Sequence, residues 1–323
     1  MPGKTTHQPT PAAAERERIA KRIARSGLCS RRDAERLIAE GRVTVNGTVL
    51  DTPALTVAPG DTITVNGTPL PETEPTRLWL YHKPAGLVTT TRDPQGRATI
   101  FERLPKDLPR VMTIGRLDIN TEGLLLLTND GGLARVLELP ATGWLRRYRV
   151  RAHGTVTQDR LDALKDGITI EEVRYGPIEA TLDRTQGGNV WLTMGLREGK
   201  YREVKTILEA LGLKVNRLIR VSFGPFMLRD LAVGAVEEVK PRVLRDQLGV
   251  KLARAANITL PEPTKAAAPQ RGKDGKQGSP KPGGKPGPKP GTKPGRGPRP
   301  AAAKTGGPGK PAGKQHARRR RPV

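Results

Sequence analysis

The spacing of apolar residues predicts two short helices in a first unit, residues 17 to 70. The first helix would end at Gly27. The second would begin at Ser30, which with Asp33 resembles a capping box, and would end at Gly41. The apolar positions with helical spacing are Ile19, Ile23 and Ala24 in the first helix, and Ala34, Leu37 and Ile38 in the second.

After these helices the period changes from helical to alternating. The segments RVTVNGTVL and DTITVNGTPL are each an alternating strand pattern interrupted by Asn-Gly, which is the strongest short signal for a β-hairpin. We therefore predict a small domain of two helices and a small sheet over residues 16 to 71. The sequence PETEPT, residues 71 to 76, has the composition of a linker.

A second domain of mixed strands and helices is predicted over residues 76 to 250, beginning with a strand and a Lys83-Pro84 turn in WLYHKPAGLV. Within it, four consecutive leucines closed by Asn-Asp-Gly predict a buried strand, and residues 111 to 114 predict another before it. Asp118 lies in the connection between the two, in the sequence GRLDINTEG. A carboxylate beside core strands costs desolvation free energy unless it has a partner or a use.

Two further segments of this domain place charged residues on defined faces. RRYRVRAHG predicts a strand with Tyr148, Val150 and Ala152 on one face and arginines on the other. EVKTILEALG predicts an amphipathic helix that ends at Gly212, with Lys205 on the flank of its apolar face. Lys205 could extend into solvent or reach a neighbouring site. Strands and helices do not alternate regularly, so the predicted class is α+β.

The net charge of +25 is concentrated at one end of the chain. Residues 264 to 323 contain ten Lys, seven Arg, one Asp and 25 Pro or Gly, a composition that cannot form a core. We predict disorder over residues 1–15 and 257–323. The basic tail is interpreted either as a nonspecific polyanion binder or as a solubilising spacer.

Several classes of protein are disfavoured by the sequence. The single cysteine, Cys29, excludes an internal disulfide and a multi-cysteine metal site, and His82 and His153 are interpreted as structural. No Gly-rich phosphate loop is present, so no nucleotide cofactor is predicted. No signal peptide or apolar membrane span is found either, and a cytoplasmic protein with no membrane association is expected.

The segment RIARSGLCSRRDAERLIAEGRVTVNG resembles the S-four-type RNA-binding module, in which two helices present basic side chains to structured RNA. The basic side chains of this segment could form a phosphate-binding face or a merely solvated one. They are Arg22, Arg25, Arg31, Arg32, Arg36 and Arg42.

The second domain resembles the RsuA/RluB/RluE/RluF family of bacterial ribosomal RNA pseudouridine synthases. Four segments carry the resemblance: KPAGLVTTTRDPQGRATIFERLP, TIGRLDINTEGLLLLTNDG, the RRYRV strand and EGKYREVKTILEALG. The resemblance implies a mixed, largely antiparallel sheet and an enzyme that isomerises uridine in RNA to pseudouridine with one essential aspartate and no cofactor. The implied partner is ribosomal RNA or a precursor of a ribosomal subunit.

The same resemblance assigns roles to individual residues. Asp118 matches the essential aspartate, Lys205 the basic residue that pairs with it, and Tyr148 the active-site tyrosine. The helix reads E-V-K-T-I where the family more commonly has Q-V-R-R-M, so Glu203 replaces a neutral amide. On their own, these residues could instead be a turn former, a solvated lysine and a core tyrosine. Arg116, Arg147 and Arg149 are predicted to bind RNA, together with Arg22, Arg25, Arg31, Arg32 and Arg36 of the first domain.

Large-subunit ribosomal RNA is the predicted substrate, in the manner of RluB. The alternatives are a small-subunit substrate in the manner of RsuA, a noncatalytic RNA-binding protein of ribosome assembly, and an RNA chaperone in which the tail is the main functional element. The intact GRLD sequence favours an enzyme.

Overall fold

The computed structural model describes residues 16–258. The segments predicted to be disordered therefore lie outside the described residues, except Asn257 and Ile258. The elements of the first domain are β1 (Glu17–Arg18), α1 (Ile19–Arg25), α2 (Arg31–Ala39), β2 (Val43–Val45), β3 (Thr48–Val49), β4 (Thr56–Val57), β5 (Ile63–Val65) and β6 (Thr68–Pro69).

Local sequence signals account for the first domain. Both Asn-Gly pairs have positive φ at each residue, 51° and 83° at Asn46 and Gly47, as the turn of a two-residue hairpin requires. The hairpins join as a four-stranded antiparallel sheet in the order β3-β2-β5-β6. Ser30 caps α2 by accepting a hydrogen bond from the Asp33 backbone N–H at 3.1 Å. The predicted helices and hairpins are thus confirmed.

The second domain is built around a nine-stranded sheet. Its strands, with the separate pair β11 and β12, are β7 (Leu78–Lys83), β8 (Met112–Ile114), β9 (Thr121–Thr128), β10 (Arg146–His153), β11 (Ile168–Ile170), β12 (Val173–Tyr175), β13 (Ile178–Gln186), β14 (Asn189–Leu196), β15 (Lys214–Phe223), β16 (Phe226–Met227) and β17 (Val236–Glu238). The main order is β13-β14-β10-β15-β9-β7-β17, with β8 on β9 and β16 on β15. All pairs are antiparallel except β9 with β15, which confirms the predicted mixed, largely antiparallel sheet.

Helices cover the two sides of this sheet unequally. They are α3 (Gly131–Glu138), α4 (Gln158–Asp162), α5 (Glu203–Ala210) and α6 (Pro241–Ala256). On one side, which we call the inner face, α4 and α5 pack over β10, β13 and β14. On the opposite side, the outer face, α3 and α6 pack over β7 and β9. The four leucines of β9 are completely buried: Leu124 and Leu126 pack beneath α3 and α6, and Leu125 and Leu127 pack on the inner face in a cluster with Ile100 and Leu117.

The folded domain continues beyond residue 250, where its predicted boundary lies. Helix α6 is kinked at Gly249, where φ is 63°, and runs on to Ala256. Leu248, Leu252 and Ile258 pack into the same apolar cluster as Leu133 of α3, which explains why the helix extends further. Within residues 16–258, no helix is long and apolar enough to cross a membrane.

Candidate active site

Asp118 is carried by a short loop between β8 and β9 whose backbone is fixed on both sides. The Thr89 hydroxyl donates to the Leu117 carbonyl at 2.8 Å and accepts from the Leu117 N–H at 3.4 Å. After Asp118, the Thr121 N–H donates to the Asp118 carbonyl at 3.0 Å, which closes the turn into β9. Because polar groups hold the loop at both ends, the direction of the Asp118 side chain is set by the fold.

Beneath this loop lies Lys83, the last residue of β7. Its side chain is fully buried, and its ammonium donates to the carbonyls of Pro84, Ile119 and Thr121 at 2.9, 3.1 and 3.0 Å. Burial lowers the pKa of Lys83 to about 8, against the opposing effect of the Asp118 carboxylate, which favours the charged amine. Lys83 therefore ties the start of β9 to the end of β7 and adds positive potential next to Asp118.

Lys205 of α5 approaches the same carboxylate from the other side. Its Nζ lies 3.4 Å from Asp118 Oδ2, and the two side chains are 17% and 34% exposed. The apolar face of α5 is buried against the sheet as predicted, so packing of Val204, Ile207 and Leu208 fixes where Lys205 emerges. The ion pair is open to solvent on one side. The Asp118 carboxylate is thus paired with a cation and is still accessible to a substrate.

Tyr148 lies on the inner face, which also carries α5. It is partly buried and packs against two apolar clusters, one beneath α5 and one beside Leu117. Along the sheet, Tyr148 of β10 is opposite Arg220 of β15, and Arg220 is in turn opposite Gly123 of β9. Strands two places apart are separated by roughly 10 Å, so the Tyr148 ring and the start of β9 lie on neighbouring parts of the inner face, with Arg220 of β15 between them.

Gly123 and Arg220 are site residues that the sequence reasoning missed. Gly123 has φ of 100°, and a Cβ built there would lie 2.3 Å from the Arg220 carbonyl oxygen, so only glycine permits this strand pairing. Arg220 is 2% exposed, and its Nε donates to the Leu124 carbonyl at 2.7 Å. Its Nη2 is buried without a hydrogen-bond partner in the described part of the chain. An arginine inside the apolar strand RLIRVSF is the sequence signal that could have identified it.

Glu203 begins α5 and is almost completely buried. Its Oε2 accepts a hydrogen bond from the Lys200 backbone N–H at 3.0 Å. Burial raises the pKa of the Glu203 carboxyl, and the hydrogen bond from the Lys200 backbone N–H is the main effect that opposes this shift. Glu203 therefore holds the turn that precedes α5 and does not contact Asp118 itself.

The other arginines predicted to bind RNA do not all lie near Asp118. Arg116 is exposed on the Asp118 loop itself, whereas Arg147 and Arg149 are exposed on the outer face of the sheet, away from Asp118. Arg31, Arg32 and Arg36 are exposed on α2. Arg22 and Arg25 are partly occupied, since Arg22 donates to the Thr73 hydroxyl at 3.3 Å and Arg25 lies 3.7 Å from Asp130.

Two protein-family models match this chain, one in each of the two folded domains. The model of the S4 domain matches residues 17–63, and the model of the RNA pseudouridylate synthase family matches residues 77–210. A crystal structure described as a pseudouridylate synthase superimposes with a TM-score of 0.51 at 27% identity, covering 72% of this chain and 99% of that one.

Relatives with sequence identity above one third extend across both domains. An uncharacterised RNA pseudouridine synthase of Rickettsia felis is 45% identical over 228 residues, which are 71% of this chain and 99% of the relative. Ribosomal large subunit pseudouridine synthase B of Pseudomonas aeruginosa is 40% identical over 268 residues, covering 79% of this chain and 68% of the relative. The protein of the same name from Pasteurella multocida is 36% identical over 266 residues, 78% and 76% of the two chains.

Proposed function

The chain belongs to the RsuA/RluB family of RNA pseudouridine synthases, and we propose that it isomerises a uridine of large-subunit ribosomal RNA with Asp118 as the essential carboxylate. The observation that carries the assignment of Asp118 is its position 3.4 Å from Lys205, on a loop held by Thr89 and Lys83. The large-subunit substrate is supported by relatives named ribosomal large subunit pseudouridine synthase B.

The reaction needs few chemical groups. The bond from C1′ of the ribose to N1 of uracil breaks, a bond from C1′ to C5 forms, and the proton on C5 is lost while N1 gains one. Atoms and oxidation state are unchanged, so the reaction requires no redox cofactor. The Asp118 carboxylate acts on the uridine at this step, and the Lys205 ammonium stabilises its ionised form.

A uridine inside folded RNA must leave its stack to reach Asp118. Unstacking costs roughly a few kcal/mol, and stacking the base on an aromatic ring returns about 1 to 3 kcal/mol. Tyr148 is the partly exposed aromatic residue on the inner face that we assign to this stacking, and its hydroxyl can exchange a proton with the base. Arg116, exposed on the Asp118 loop, holds the adjacent RNA backbone or fills the space that the base vacates.

The first domain supplies affinity and no chemistry in this proposal. Arg31, Arg32 and Arg36 on the exposed side of α2 bind phosphates, which positions the RNA without reading its sequence. Arg36 contributes less than Arg31 and Arg32, because it pairs with Asp33 and Glu40 of the same helix region. Arg22 and Arg25 also contribute less, because they already have partners in the linker and in the second domain. We place the protein in the cytoplasm, with ribosomal RNA or a ribosomal subunit precursor as its partner.

Carbodiimide mapping of pseudouridine in ribosomal RNA from a deletion strain tests this function. We expect one site in large-subunit RNA to lose its modification, and complementation with the wild-type gene, but not with Asp118→Asn, to restore it. A site lost from small-subunit RNA would overturn the substrate assignment. An unchanged map in both RNAs would favour the noncatalytic alternative.

A further inference from the structure

The outer face of the sheet is uncovered at the end away from α3 and α6. Exposed basic side chains from three strands surround one tryptophan there. We call this surface the outer basic face and define it by Arg149 and Arg151 of β10, Arg184 of β13, Trp191 of β14 and Lys214 of β15.

This surface is separated from Asp118 by the sheet itself. On β10, Val150 and Ala152 are completely buried under α5, whose Lys205 reaches Asp118. Neighbouring residues of a strand point to opposite sides, so Arg149 and Arg151 project away from α5. An RNA segment bound to these arginines would therefore be a different segment from the one that enters the active site.

The positive charge of this surface is only partly compensated. The Asp183 carboxylate accepts a hydrogen bond from the Thr193 hydroxyl at 2.9 Å, and Thr193 lies opposite Arg149 in the sheet register. Arg151 lies opposite Arg217 in the sheet register, and Arg217 is neutralised by Glu122 at 2.8 Å. In residues 16–258, Arg149, Arg151, Arg184 and Lys214 form no ion pair, and these side chains are exposed. Like charges on neighbouring strands are unfavourable. A bound polyanion would remove that cost.

Trp191 gives the surface a second property. The guanidinium carbons of Arg149 and Arg184 lie 4.9 and 5.5 Å from the centroid of its ring. Cation–π contact of this kind holds the two arginines in defined positions around a planar group. Aromatic rings combined with arginines on a flat basic surface suit single-stranded RNA, whose unpaired bases can stack while its phosphates are neutralised.

We propose that the outer basic face binds a single-stranded segment of RNA, outside the segment whose uridine occupies the Asp118 site. The inference rests on the proposed function only in taking RNA as the partner, and it holds whichever uridine is modified. An acidic protein surface would also match the charge, but it would leave the placement of Trp191 beside two arginines without a role.

The test uses the full chain and an oligoadenylate of about 16 nucleotides, a length within the site size of single-strand-binding domains. Oligoadenylate contains no uridine, so its binding is independent of the reaction. Arg151→Gln with Arg184→Gln removes two exposed cations. Arg160→Gln with Lys165→Gln is the matched control, because both residues are exposed on the α4 side of the sheet.

Affinity is measured between about 50 and 200 mM salt, and each lost phosphate contact decreases the slope of log affinity against log salt by about 0.7. We expect the slope for the Arg151/Arg184 variant to fall by about 1.4, and the control to match the wild type. Trp191→Leu should weaken binding about 5- to 150-fold at every salt concentration, since stacking is not ionic.

Identical slopes for the Arg151/Arg184 variant and its control would overturn the proposal. So would a variant that binds oligoadenylate normally but loses binding to isolated large ribosomal subunits, because that result would assign the outer basic face to a structured part of the subunit and not to single-stranded RNA. Full activity of Asp118→Asn would refute the proposed function while leaving the oligoadenylate result unaffected. The two proposals therefore fail separately.

Discussion

Lys205 Nζ lies 3.4 Å from Asp118 Oδ2, and this contact joins a loop between two strands to a helix much later in the chain. Each partner depends on a different part of the core. Thr89 and Lys83 fix the loop of Asp118, and the buried apolar face of α5 fixes Lys205. The two groups can therefore be tested independently.

Asp118→Asn should abolish turnover and leave the fold intact. The amide keeps the size of the side chain and can remain on the same loop, but it has no negative charge with which to act on the uridine. We expect a loss of at least about 10³-fold in the single-turnover rate, the scale found when a member of a catalytic group is removed. Conversion of uridine in a large-subunit RNA transcript is the measurement. A rate near that of the wild type, with unchanged RNA affinity, would refute the assignment.

Lys205→Met should lower the single-turnover rate at saturating RNA by about 10- to 100-fold, the value expected for one charged interaction. Lys205→Arg should keep much of the rate, since the carboxylate needs the charge more than a particular arrangement of donors. Lys165→Met is the control, because Lys165 is an exposed lysine that pairs with Asp162 and not with Asp118. If the Met variants of both lysines behave alike, Lys205 has no role in catalysis and Lys83 becomes the important cation.

Prediction from sequence succeeded where the signal was local. The Asn-Gly pairs determine their own backbone angles, and alternation along β10 assigns Tyr148 and Arg149 to opposite faces without knowledge of the neighbouring strands. Burial of Lys83 could not be predicted, because its partners Ile119 and Thr121 are brought to it by pairing of β7 with β9. The pairing of distant strands depends on the tertiary fold, and the hydrophobic pattern of one strand does not show which other strand it will pair with.

Lys83→Met should change how stability depends on pH. In the folded protein the pKa of Lys83 is lowered to about 8 by burial, while in the unfolded chain it is about 10.4. Between pH values equal to these two pKa values, the unfolded chain binds more protons than the folded protein. The contribution of Lys83 is therefore fully present above about pH 10.4 and is lost as pH falls through about 8.

Urea unfolding of the wild type and Lys83→Met between about pH 7 and 10.4 checks this expectation. The wild type should gain stability relative to the variant as pH rises through this window, and Lys165→Met should follow the wild type. The variant should also lose activity, because the Asp118 loop loses the donor to its Ile119 carbonyl. A constant difference in stability across the window would show that the pKa of Lys83 is not lowered in the folded protein.

Gly123→Ala should separate β9 from β15 beside the active site. The new Cβ would lie 2.3 Å from the Arg220 carbonyl oxygen, at a φ of 100° that alanine rarely adopts. We expect a loss of about 2 kcal/mol or more in the free energy of unfolding, together with reduced turnover. Gly96→Ala is the control, because Gly96 has φ of 67° and nothing within 4 Å of the added Cβ. Equal losses in both variants would mean that backbone conformation alone, and not strand contact, makes Gly123 necessary.

Glu203→Gln should stabilise the protein near neutral pH. The amide oxygen of glutamine can accept the hydrogen bond from the Lys200 N–H as Glu203 does, but it requires no burial of negative charge. Burial raises the pKa of Glu203 in the folded state above its pKa in the unfolded chain, which is about 4.3. The wild type therefore loses stability as the pH rises from about 4.3 through the pKa of the folded state. The variant has no such loss.

Thermal unfolding at acidic and neutral pH measures this difference. Below about pH 4 the two proteins should unfold at similar temperatures, since the carboxyl is protonated in both states. Near neutral pH the variant should unfold a few degrees higher. Glu209→Gln, an exposed position on the same helix, should match the wild type at both. A less stable Glu203→Gln at neutral pH would show that the attraction of the Glu203 carboxylate to the Lys200 N–H, the Lys200 ammonium and Arg146 outweighs the cost of burial. The acidic residue would then stabilise the position of α5, and with it Lys205.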